Sequence, residues 1–178
     1  MTFTPDTKDW TWVLERPCPD CGFDASAIDR AGLGEAFRRI TAAWVEVLAG
    51  DEVDRRPAPA TWSSLEYGCH VRDVLRLASM RIFLLQTKDD PTFSDWDQDE
   101  TAIAERYSAQ GPTVVATELG DAGRLLAERL DGLGDDEWWR TGSRSNGSAF
   151  TIETLSLYIL HDPIHHLWDV GTEAGDER

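Results

Sequence analysis

Basic residues are scarce in this chain. Only 17 lysines and arginines stand against 33 aspartates and glutamates, for a formal charge of −16. Such a surface repels phosphate backbones and anionic lipid, so neither nucleic acid nor membrane is expected as a partner. Long apolar runs are missing as well, and no segment reaches the roughly 20 uncharged residues that a bilayer span requires. The opening MTFTPDTKDWTWVLERP has no basic start and no apolar stretch, which argues against a secretory leader. Cysteine occurs three times, an odd number that reads as reduced thiols in a cytoplasm. A glycine-rich phosphate loop, a G-x-S-x-G elbow, internal repeats and strand-period segments of useful length are all lacking.

What is present is helical. The 178 residues are 41% apolar and include eight tryptophans, enough to bury a substantial core. Residues 1–25 read as an irregular extension, 26–172 as a four-helix bundle, and 173–178 as a disordered tail. Phe37, Ile40, Trp44, Val47 and Leu48 share a face of the first helix, whose start is drawn toward Gly34 by Gly32 and Gly34. Ser63 followed by Glu66 suggests a capping box for a second helix running to about Gln86. A short helix is expected over 101–110, and Pro112 opens a third long helix. Asn146–Gly147 marks a turn before a final helix from about Thr151 to Val170. The fold class is therefore all-α, a four-helix bundle with long connections.

Three of the four histidines fall in the last helix, in YILHDPIHHLWDV. At about 3.6 residues per turn, His161 and His165 lie roughly 40° apart and His166 roughly 140° from His161. His161 and His165 can thus converge with His70 of the second helix, leaving His166 as the alternative ligand. Three imidazoles suit Zn, Ni, Fe(II) or Cu better than Mg or Ca, and leave a coordination position open. Tyr158, Trp168 and Asp169 share the stripe of the pair, and Asp169 is placed to orient a ligand ring. Pro163 between the two histidines predicts a kink or a widened turn.

YGCHVRDVL on the second helix together with YILHDPIHHLWDV on the last resembles the DinB-like (DinB/YfiT-like) superfamily over about residues 26–172. That superfamily includes mycothiol-dependent maleylpyruvate isomerases and bacillithiol- or mycothiol-dependent S-transferases. The resemblance implies a four-helix bundle, often a homodimer, with a divalent metal on His70, His161 and His165. It also implies a cytoplasmic thiol-dependent S-transferase, or related hydrolase or isomerase chemistry, on a small-molecule substrate with a low-molecular-weight thiol such as mycothiol. The alternative is a non-catalytic metal-binding or interaction protein built on the same bundle.

Other features lie outside that resemblance. Cys18 and Cys21 form C-P-D-C, which could be half a zinc knuckle or a redox pair; a turn with two free thiols packed on the bundle is preferred. A second metal site using Cys18, Cys21 and Cys69 is the less favoured option. Arg144, ahead of the last helix, is a candidate carboxylate-binding residue, and Trp138 and Trp139 are read as a core plug or part of a dimer surface.

Overall fold

Chain entry into the second helix is fixed by a buried, reciprocal set of hydrogen bonds. The Ser63 hydroxyl accepts from the Glu66 amide at 3.2 Å, while the Glu66 carboxylate accepts from the Ser63 amide at 2.9 Å. This is the capping box expected from the sequence, and it satisfies two amides that lack helical partners. The computed structural model describes residues 9–173. Its helices are α1 (Leu33–Leu48), α2 (Ser64–Thr87), α3 (Gln98–Ala104), α4 (Pro112–Asp131) and α5 (Ile152–Glu173). The tail expected at 173–178 lies outside the described residues apart from the Glu173 backbone.

Helix boundaries follow local chemistry. α1 starts at Leu33 because Asp24 and Asp29 cap two separate 3-10 turns, accepting from the Ser26 and Ala31 amides. α3 begins three residues before the expected position, since Asp97 caps it by accepting from the Glu100 amide. It ends ahead of Arg106, which takes the left-handed conformation at φ 49°. Pro112 occupies the first turn of α4, where a missing amide proton costs nothing. α5 continues through Pro163, whose carbonyl accepts from the Trp44 indole at 2.9 Å.

Around the bundle the helices run α1, α4, α2, α5, so α2 and α5 are neighbours. Phe37 and Trp44 of α1, Leu75 and Ile82 of α2, Leu119 and Leu126 of α4 and Leu155 and Leu160 of α5 fill the interior. α1 approaches α4 so closely at Gly123 that a methyl group there would overlap the Thr41 side chain.

A small sheet accompanies the helices. β1 (Thr92–Phe93) pairs parallel with β2 (Thr141–Arg144), and β2 pairs antiparallel with β3 (Ala149–Thr151) across the Asn146–Gly147 turn. Strands of two to four residues are too short to carry an alternating pattern, which is why none was expected. The amino-terminal segment is not loose either: a 3-10 turn over Trp10–Leu14 packs on α5, and Val13, Cys18 and Phe23 are buried. No helix among the described residues is long and apolar enough to cross a membrane.

Glu66 is buried and also receives the Arg56 guanidinium, with Nε at 2.7 Å. Burial opposes its ionisation, but Arg56 and the Ser63 amide outweigh burial and hold its pKa below the usual carboxylate value. The charged form is therefore favoured by folding. Glu66→Gln should destabilise the protein by about 2 kcal/mol in denaturant titrations at neutral pH. The difference between wild type and variant should be full above the unfolded carboxylate pKa and shrink as pH falls through the lower folded value. Gly123→Ala, tested in the same way, should cost about 1–3 kcal/mol through helix displacement.

Candidate metal centre

Two adjacent pairs of donors project from α5, offset by one residue. Asp162 and His166 form one i,i+4 pair; His161 and His165 form the other. The offset turns the pairs about 100° apart on the helix surface, so each meets a different partner. Among the described residues, His70, Asp162 and His166 bring one donor atom each within 4.8 Å of one another. Cys18, Cys21, His161 and His165 do the same in a second group.

The first group joins α2 to α5. His70 is fully buried, and its Nε2 lies 3.2 and 3.3 Å from the two Asp162 oxygens. Its Nδ1 is buried with no hydrogen-bond partner among the described residues. The His70 and His166 rings meet edge to face at 4.9 Å, and the Asp169 carboxylate accepts from His166 Nδ1 at 2.8 Å. Stacking on Trp96 at 5.4 Å and contact with Trp62 at 5.5 Å fix the His70 ring. Burial works against ionising Asp162, but His70 and His166 outweigh it and hold the carboxyl at about 2. An ionised carboxylate between two imidazoles, with one imidazole nitrogen left unpaired, has the chemistry of a divalent transition-metal site.

This grouping differs from the expected one. His161 and His165 are not gathered with His70; the position opposite His70 is taken by Asp162 and by His166, the alternative ligand. The reason is rotational: α5 presents to α2 the stripe one residue further on. His161 is instead buried against Trp10 and Phe23, with ring separations of 5.5 and 5.4 Å. Burial, then the neighbouring His165, push its pKa down to about 4, so the ring is neutral at physiological pH. Cys69 is buried on α2, near the Tyr107 carbonyl, and joins neither group.

The first group and the two histidines of the second border one cavity of about 640 Å³. Arg81 and Arg144 also line it. Arg81 is nearly buried, donates to the Ser94 carbonyl at 2.9 Å, and has no partner at Nε among the described residues. Burial and the Arg144 charge lower its pKa to about 10, which leaves it charged at neutral pH. Arg144 comes from β2 rather than from the α5 terminus and donates to the Tyr158 hydroxyl at 3.3 Å. Tyr158 lines the cavity; Trp168 packs on His165 at 5.7 Å and is substantially exposed. Asp162 and Arg81 were not singled out in the sequence. An aspartate inside the histidine cluster and an arginine among the apolar positions of α2 were the available signals. Trp138 is buried, whereas Trp139 is exposed beside Arg30.

A helical bundle whose second and last helices share histidine and carboxylate donors defines the class of protein. Residues 34–170 match the DinB superfamily, and the chain belongs to it. The structure is similar to YfiT from Bacillus subtilis, with a TM-score of 0.72 and 17% identity, covering 82% of this chain and 87% of that one. YfiT is described as a probable metal-dependent hydrolase with an unusual four-helix bundle topology. No curated protein matches the chain.

Proposed function

We propose that the chain is a metal-dependent enzyme that transfers a small nucleophile, a thiol or water, to an anionic electrophilic substrate. The observation that carries this reading is the convergence of His70, Asp162 and His166 on the cavity that Arg81 and Arg144 also border. The superfamily membership and the likeness to YfiT support the same reading. Three protein donors leave coordination positions open, the pattern of a reactive rather than a purely structural site. A divalent ion of the Zn, Ni or Fe(II) type bound there lowers the pKa of a thiol or a water and so supplies the nucleophile at neutral pH.

The chain's own residues do the rest. His70 and His166 would each present a ring nitrogen, and Asp162 would contribute the negative charge that balances part of a dication. Asp169 accepts from His166 Nδ1, which fixes that ring's tautomer and leaves Nε2 as its donor atom. Arg81 and Arg144 hold the anionic end of the substrate, Arg81 through a guanidinium whose Nε has no partner among the described residues. Trp10 and Trp96 line the cavity with apolar rings that exclude water. Thiol S-transfer, with mycothiol as the donor, is the version closest to the family's chemistry; hydrolysis uses the same residues with water.

Metal-loaded protein should consume anionic electrophiles, and the dependence of rate on added low-molecular-weight thiols separates transfer from hydrolysis. No turnover with any thiol or with water, alongside tight metal binding, would leave a non-catalytic metal-binding protein. His70→Ala should abolish turnover. Arg81→Ala should raise KM on the order of tenfold or more with a smaller effect on kcat, as expected for a lost charged hydrogen bond. Asp169→Asn should weaken ion binding about 10–100-fold in competition with a chelator.

A further inference from the structure

The second donor group stands apart from the chemistry proposed above. Cys18 and Cys21 come from the amino-terminal segment, and His161 and His165 from α5. All four donor atoms lie within 4.8 Å of one another. Cys18 Sγ is 3.6 Å from His165 Nδ1. With zinc bonds of about 2.3 Å to sulfur and about 2.0–2.1 Å to nitrogen, a tetrahedral centre has a sulfur-to-nitrogen edge of about 3.6 Å. The observed separation is that edge.

The loop bearing the thiols is built to hold them. The Gly22 amide donates to the Cys18 carbonyl at 3.0 Å, and the Cys18 amide donates to the Phe23 carbonyl at 2.8 Å. Gly22 closes this loop at φ +73°, a conformation open to glycine and strained for most other residues. Pro19 fixes the backbone inside it. Cys18 and His161 are almost wholly buried, and His161 Nε2 has no hydrogen-bond partner among the described residues. His165 Nε2 points toward Asp169, 3.9 Å from Oδ1. Trp10 covers both imidazoles, at 5.5 Å from His161 and 5.2 Å from His165, and Phe23 covers His161 from another side.

We propose that Cys18, Cys21, His161 and His165 form a second, structural zinc site that clamps the amino-terminal segment onto α5. The residue types and spacings are C-x-x-C and H-x-x-x-H, a donor set that closes a tetrahedron without a vacant position. Binding releases two protons from the thiols to solvent, and the two thiolates then neutralise the dication. A neutral centre is compatible with this buried, aromatic-lined location. The clamp fixes Trp10, which packs on both imidazoles and also lines the cavity, so the site shapes the wall of the catalytic pocket without taking part in the reaction.

The test uses the full-length, reduced protein and does not depend on catalysis. Stripped protein titrated with Co(II) should develop thiolate-to-cobalt charge-transfer absorption and the visible bands of a tetrahedral ion, both displaced by Zn(II). Cys21→Ser and Cys18→Ser should lose that absorption and one equivalent of zinc per chain by elemental analysis. His70→Ala should keep both, because its loss affects only the other site. Chelation of wild type should lower the thermal midpoint and expose the segment before α1 to limited proteolysis, and in Cys21→Ser chelation should no longer change the proteolysis of that segment. Circular dichroism verifies that each variant is helical; if a serine variant fails to fold, the cobalt spectrum of wild type decides. Absence of thiolate absorption in reduced wild type, or unchanged zinc content in folded Cys21→Ser, would overturn the proposal. Failure of the proposed enzymatic reading would appear separately, as a thiolate–cobalt spectrum without turnover or without any effect of His70→Ala on activity.

Discussion

The rotational setting of α5 is the constraint on which the whole arrangement depends. Two i,i+4 donor pairs occupy consecutive positions on this helix, and a turn of about 100° decides which pair meets α2. In the observed setting Asp162 and His166 meet His70, and His161 and His165 meet the two cysteines. A slip of one residue would exchange a carboxylate–imidazole pair for a bis-imidazole pair at the cavity and strand the thiols. The setting is held from several sides. Ile152, Leu155 and Leu160 are fully buried, and the Trp44 indole donates to the Pro163 carbonyl at the middle of the donor stretch.

Charges of both signs line the cavity: Arg81, Arg144 and the imidazoles stand there with Asp9, Asp95, Asp97, Asp99 and Asp162. Burial removes Arg81 from water, and its neighbour Arg144 adds repulsion, so two cations sit where isolated ones would be unfavourable. Arg144 lies 3.8 Å from the Asp95 carboxylate, whereas Arg81 donates to the Ser94 carbonyl. Asp162, held ionised beside His70 and His166, supplies the opposite sign.

Much of the bundle could be read from local signals. The Ser63–Glu66 capping box, Pro112 in a first turn and the apolar stripes of α1, α2 and α4 are contained within single segments, and they survive in the structure. The likeness of the two histidine-bearing helices to the DinB-like superfamily was legible too. The pairing of donor side chains across the bundle was not. Spacing identifies which side chains of α5 are neighbours, but the azimuth of a helix is set by packing against other segments. Cys18 and Cys21 offered half of a familiar metal pattern; its other half lies beyond the entire bundle, and no local rule connects them. The three strands were invisible for a simpler reason, since pairings of two to four residues carry no period.

The superfamily match begins at residue 34, whereas Trp10 on the cavity wall lies upstream of it. The donors that α2 and α5 bring together thus lie within the matched region, whereas part of the cavity wall is supplied by the segment ahead of it. Substitutions at Trp10 can therefore reshape that wall without altering His70, Asp162 or His166.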